Sequence, residues 1–263
     1  MRLLASLLLL GLSLAAQAEI KTEEIPYQSA DGTRMIGYFA YDDATPGARP
    51  GILVVHEWWG LNDYAKRRAR DLAALGYSAL AIDMYGEGKH TEHPTEATAF
   101  MNEALKNADA AKARFQAGLE LLKKQPQTDP TKIAAIGYCF GGKVVLDMAR
   151  QGLPLAGVAS FHGVLATASP AQPGSVKGKV LVEHGGGDTL VPADSVAAFK
   201  KEMDAAKVDY RFVVQPGAKH SFTNPDADKH KGHGLDVGYD KTADQKSWAD
   251  LKQFLKDIFG QPA

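Results

Sequence analysis

Short apolar runs alternate along the chain with stretches in which apolar positions recur every three or four residues, from about Ile25 onward. The largely apolar runs over 51–55 and 132–136 predict buried strands, and 79–82, 155–161, 180–182 and 210–214 predict further strands of the same sheet. Residues 35–41 follow the turn-like Ala30-Asp31-Gly32 and predict a strand pairing antiparallel with the one before it. Between the strands, Ala65, Ala69, Leu72, Ala73 and Leu75 share one helical face, with Asn62 or Asp63 as cap and Gly76 as stop. Further helices are expected over 96–105, 108–123, 143–150, 194–206 and 246–259. Residues 168–178, with Pro and Gly, read as a surface loop. This alternation specifies the α/β class: one domain with a mainly parallel central sheet flanked by helices on both faces.

The start of the chain follows a different pattern. Met1-Arg2, an apolar run over 3–14 and Ala16-Gln17-Ala18 predict a cleaved signal peptide over 1–18, leaving a domain over 19–263. The expected location is therefore secreted, periplasmic in a Gram-negative source. No later run reaches the ~20 apolar residues of a spanning helix, so no membrane association is expected after cleavage. Lys and Arg number 30 against 31 Asp and Glu, which gives nucleic acid no electrostatic reason to bind. Nothing in the chain specifies an oligomeric state. The single cysteine, Cys139, excludes an internal disulfide.

That cysteine lies in Gly137-Tyr138-Cys139-Phe140-Gly141-Gly142, between a predicted strand and a predicted helix. Gly-x-nucleophile-x-Gly at a strand-to-helix junction is the form of a nucleophile elbow, where flanking glycines admit close backbone approach. A thiol with a pKa near 8.5 is only ~3% thiolate at pH 7, so it needs a base, and the base needs an orienting acid. His220 follows the 210–214 strand and the Pro216-Gly217-Ala218 turn, and Asp188 follows the 180–182 strand. The order nucleophile, acid, histidine is that of the α/β-hydrolase fold, and all three sit past carboxyl ends of strands. His56-Glu57-Trp58-Trp59-Gly60 ends the 51–55 strand. The backbone N–H groups of Trp58 and Phe140 are expected to form the oxyanion hole. Glu57 beside the thiol would disfavour thiolate and accept its S–H, sheltering it from oxidation.

These motifs resemble the dienelactone hydrolase family over essentially the whole mature chain. The resemblance implies a triad of Cys139, Asp188 and His220, with Glu57 contacting the resting thiol, and hydrolysis of a small ester or lactone through a thioester. It implies no cofactor and no metal. The family prototype binds its lactone's carboxylate through two arginines, one after the 79–82 strand and one past His-Ser-Phe. Here those places read Asp83-Met84-Tyr85-Gly86-Glu87-Gly88-Lys89 and Thr223-Asn224, without arginine, which argues against dienelactone itself.

Tyr85, Tyr138, Trp58 and Trp59 are candidate substrate contacts. His90, His93, His230 and His233 read as solvated loop histidines rather than metal ligands. The 224–239 segment is a candidate lid. Two rival readings remain at this point: a thioesterase or peptidase using the same triad, or a catalytically retired small-ligand binder.

Overall fold

A computed structural model describes residues 19–260. The predicted signal peptide, residues 1–18, lies outside the described residues. Strands β1 (Ile20–Gln28), β2 (Arg34–Asp42) and β3 (Arg49–Val55) lead into helix α1 (Asp63–Ala73) and strand β4 (Ser78–Ile82). Helices α2 (Pro94–Leu105) and α3 (Ala108–Lys123) precede β5 (Thr128–Tyr138), α4 (Phe140–Arg150) and β6 (Gly157–Phe161). Then come β7 (Lys179–Gly185), α5 (Ala193–Ala205), β8 (Tyr210–Gln215), a 3₁₀ turn (Ala227–His233) and α6 (Lys241–Phe259).

The strands form one sheet in the order β1-β2-β4-β3-β5-β6-β7-β8. β2 runs antiparallel to β1 and β4, and β3 to β8 are mutually parallel. Alternation along each strand sorts side chains between two cores. Ile52 and Val54 of β3 pack with Leu72 of α1 and Leu251 of α6, whereas Leu53 and Val55 pack with Phe115 of α3, Val144 of α4 and Phe199 of α5. The near-continuous apolar runs reflect this two-sided burial.

Local chemistry sets the element ends. Asn62, rather than Asp63, caps α1 by accepting from the Ala65 N–H. α6 begins at Lys241, a turn before the expected 246, because Asp240 accepts from the N–H groups of Thr242 and Ala243. The 224–239 segment holds the 3₁₀ turn and a parallel bridge between His220 and Val237, so it is partly ordered by its own contacts. Every strand from β3 to β8 points its carboxyl end at one edge of the sheet, which is where such sheets carry their sites.

Candidate active site

Cys139 links β5 directly to α4 with φ +53° and ψ −114°, a conformation rarely tolerated by a residue with a Cβ. The surrounding glycines show why the strain persists. A Cβ on Gly137 would lie 2.0 Å from the Gly141 carbonyl oxygen, and one on Gly141 would lie 2.2 Å from that of Val55. The helix is therefore seated against β3 and β5 at backbone contact, with Cys139 raised on the bend. Phe140 opens α4, where backbone N–H groups have no intrahelical acceptor.

His220 is 3% exposed and Asp188 6% exposed. His220 Nδ1 is 2.8 Å from Asp188 Oδ2, while the other carboxylate oxygen accepts from the Leu190 N–H at 2.9 Å. The Gly238 N–H donates to the His220 carbonyl at 3.1 Å and fixes the segment beyond β8. Burial opposes a charged imidazole here. The adjoining Cys139 side chain and the hydrogen bond to Asp188 outweigh it, and the His220 pKa is pushed up to about 10.

Glu57 departs from expectation. Its two carboxylate oxygens accept from Ser221 Oγ at 3.0 Å and Asn224 Nδ2 at 2.7 Å. Among the described residues no hydrogen bond joins Glu57 to Cys139; the carboxylate clamps the segment after His220 instead. Complete burial raises its pKa, opposed by the two donors and the nearby His220 and Arg68. His56 is equally enclosed. Its Nε2 accepts from the Met84 N–H at 3.2 Å, so Nδ1 carries the proton and donates to the Glu57 carbonyl at 2.6 Å. Burial holds its pKa low, consistent with a neutral ring. His56 thereby ties the loop after β3 to the loop after β4 and stacks on Phe140.

The two candidate tyrosines do not reach the cavity. Tyr138 shares the parity of Ala134 and Ile136 in β5, which turns it to the α1–α6 side, where it is fully buried against Phe161 and Tyr64. Tyr85 sits behind the site between His56 and Phe140, and its hydroxyl donates to the Trp58 carbonyl at 3.0 Å. It supports the expected oxyanion loop rather than the substrate. Trp58 and Trp59 do line the cavity. His230, expected in solvent, stacks on Trp59 with ring centroids 3.9 Å apart.

A buried network behind His220 carries less sequence signal. His162, at φ +41°, directly follows β6 and places its ring edge-on to His220 at 5.2 Å. Its Nε2 is 2.7 Å from Thr223 Oγ1, which is 2.6 Å from the Tyr64 hydroxyl. Arg68 donates to the Thr223 carbonyl at 2.9 Å and pairs with Asp244. The segment carrying His220, Ser221 and Asn224 is thus gripped from α1 and α6. Among the described residues, no group of three or more His, Cys, Asp or Glu side chains is arranged to hold a metal ion.

Comparison with known proteins bears on family and fold. The model of the "Dienelactone hydrolase family" matches residues 35–259. The structure of a dienelactone hydrolase-like promiscuous phosphotriesterase from metagenomic libraries is 37% identical and superposes with a TM-score of 0.85, covering 93% of this chain and 100% of that one. A candidate carboxymethylenebutenolidase of Aquifex aeolicus is 30% identical over 206 residues, 74% of this chain and 84% of the relative. One from Salmonella typhimurium is 28% identical over 246 residues, 90% and 87% of the two chains.

Proposed function

The chain belongs to the dienelactone hydrolase family and is an ester or lactone hydrolase, and on that footing we propose that it works through a thioester on Cys139. The observation that carries the reading is the buried His220 between the Cys139 thiol and the Asp188 carboxylate, with its affinity for a proton raised by both. The Cys139 thiolate attacks the substrate carbonyl carbon, and the resulting oxyanion takes the Trp58 and Phe140 N–H groups. Collapse breaks the carbon–oxygen ester bond, and His220 gives its proton to the departing alkoxide or enolate. Water then attacks the thioester while His220 accepts its proton. The carboxylic acid leaves, and sulfur regains the bonding pair as thiolate. Asp188 keeps the imidazole in the tautomer that makes both transfers possible.

The likeness to a promiscuous phosphotriesterase favours a second activity at the same site, turnover of a neutral aryl phosphotriester. Neither peptidase nor retired-binder chemistry gains a comparable observation. The direct test is hydrolysis of an ester and lactone panel by the parent and by Cys139→Ala, with mass spectrometry of the quenched enzyme. Turnover and a trapped acyl adduct in the parent, with a loss on the order of 10³-fold or more in the variant, are expected. Equal turnover in both would remove Cys139 from the chemistry.

A further inference from the structure

The cavity at Cys139 encloses about 280 Å³, near the lower bound of the ~300–1,000 Å³ usual for ligand pockets. Its wall is built from Trp58, Met101, Leu105, Leu190, Leu235 and Val237. Among the described residues, Val164 at 37% and Leu190 at 49% are two of three exposed large hydrophobic side chains, and both border this cavity. A single exposed aliphatic residue is ordinary. Two of them at one opening beside a nucleophile mark an apolar binding surface.

The polar side chains of the wall are already engaged. Lys143 is the only lysine or arginine among the described lining residues, and its Nζ donates to Asp147 Oδ2 at 2.9 Å and the Ala166 carbonyl at 3.0 Å. Asn224 gives its amide N–H to Glu57 and accepts from the Asp226 N–H at 3.0 Å. His230 is stacked on Trp59, and burial together with His233 lowers its pKa, leaving it neutral at pH 7. His220 is committed to Asp188 and Cys139. A carboxylate on a substrate would lose its hydration here and meet no unengaged cation, which disfavours its binding.

We propose that this site selects small uncharged esters with an apolar acyl or aryl part and rejects esters carrying an anionic group on that part. The proposal rests on the reading of Cys139 as the reacting atom, which fixes where the ester must lie. Methyl 4-acetoxybenzoate and 4-acetoxybenzoate provide the test, because they share the reacting acetyl ester and differ in one remote charge. After correction for their hydroxide-catalysed rates, the neutral ester is expected to have a kcat/KM at least 100-fold higher. Leu190→Arg, at the exposed rim, is expected to raise turnover of the anionic ester at least tenfold while lowering that of the neutral one.

Equal handling of the two esters by the parent would overturn the proposal, as would an unchanged ratio in a folded Leu190→Arg variant. Binding of the same pair to Cys139→Ala, followed by tryptophan fluorescence, reads the discrimination without any turnover. Preference for the neutral ester there, alongside undiminished turnover by Cys139→Ala, would sink the thiol mechanism and leave the selectivity standing. Absence of preference, or failure of both esters to bind, would sink the selectivity itself.

Discussion

Asp188 and His220 meet through a 2.8 Å bond in which both side chains are shut off from solvent, and the second Asp188 oxygen is held by the Leu190 backbone. The acid is therefore rigid, and the ring has one orientation available. Asp188→Asn keeps the shape but puts a donor or a weaker acceptor against Nδ1. A drop in kcat/KM on the order of 10²–10⁴-fold is expected. Steady-state kinetics against the best ester would check it; a loss under tenfold would mean that His220 is oriented by something else.

The raised His220 pKa has a thermodynamic signature. Its folded value of about 10 exceeds the unfolded value of ~6.5, so the folded state retains a proton that the unfolded chain gives up. The associated stabilisation is fully present below ~6.5 and fades as pH rises through about 10. Denaturant midpoints of parent and His220→Gln should lie furthest apart near pH 6 and converge toward pH 10. A separation independent of pH would contradict the assignment. In Cys139→Ser, the His220 titration seen by NMR should move down, because part of the cause has been removed.

Glu57 obeys the same sign rule, for a different cause. Its carboxyl is raised by burial, so the folded state holds more protons than the unfolded chain above pH ~4.3 and stability declines as pH climbs. Glu57→Gln can still accept from Asn224, and the Ser221 hydroxyl can rotate to accept from the new amide. The variant should gain stability relative to the parent as pH rises from ~4.3, the value of the unfolded carboxyl. Urea unfolding across that range decides it, and a variant that loses ground as pH rises would show that the clamp depends on charge.

Thr223 joins two buried groups, the Tyr64 hydroxyl and His162 Nε2, through a single oxygen. Thr223→Val removes that oxygen at nearly constant volume, leaving His162 Nε2 unpaired and the Tyr64 hydroxyl with only the long contact from Arg68 Nε at 3.4 Å, at a cost of about 1–3 kcal/mol for the orphaned group. Thr223→Ser should restore most of the loss. Because Asn224 and Ser221 flank the network, kcat is expected to fall with stability in the valine variant and recover in the serine one. Recovery of stability without recovery of kcat would confine Thr223 to folding.

How much of this was legible in the chain depended on whether the information was local. The elbow was readable because the backbone contacts at Gly137 and Gly141 admit no Cβ, so they leave a mark in sequence. Asp188 and His220 were readable because each lies just past a strand marked by an apolar run, buried in β7 and half-exposed at the edge in β8. Tyr138 was misplaced although parity was available: it lies two residues beyond Ile136, whose side the strand pattern assigns away from Cys139. Tyr85 lies near the site, but which side of Trp58 it occupies is decided by a loop folded around Asp83, whose Oδ1 accepts from the Tyr85 and Gly86 N–H groups. Met101, Leu190 and Leu235 come together from separate connections, and no periodicity along the chain records such a meeting. The Glu57 clamp was hidden for a similar reason, since Ser221 and Asn224 are remote from it in sequence.

The strand order carries a temporal consequence. Cys139 directly follows the central β5, but His220, its proposed base, follows β8, the last strand and the outer margin of the sheet. A chain that has assembled its middle and not yet docked that margin possesses the bent thiol without the imidazole proposed to activate it. In any copy whose outer margin is undocked, the thiol therefore lacks its neighbouring base and is quiet rather than indiscriminately nucleophilic.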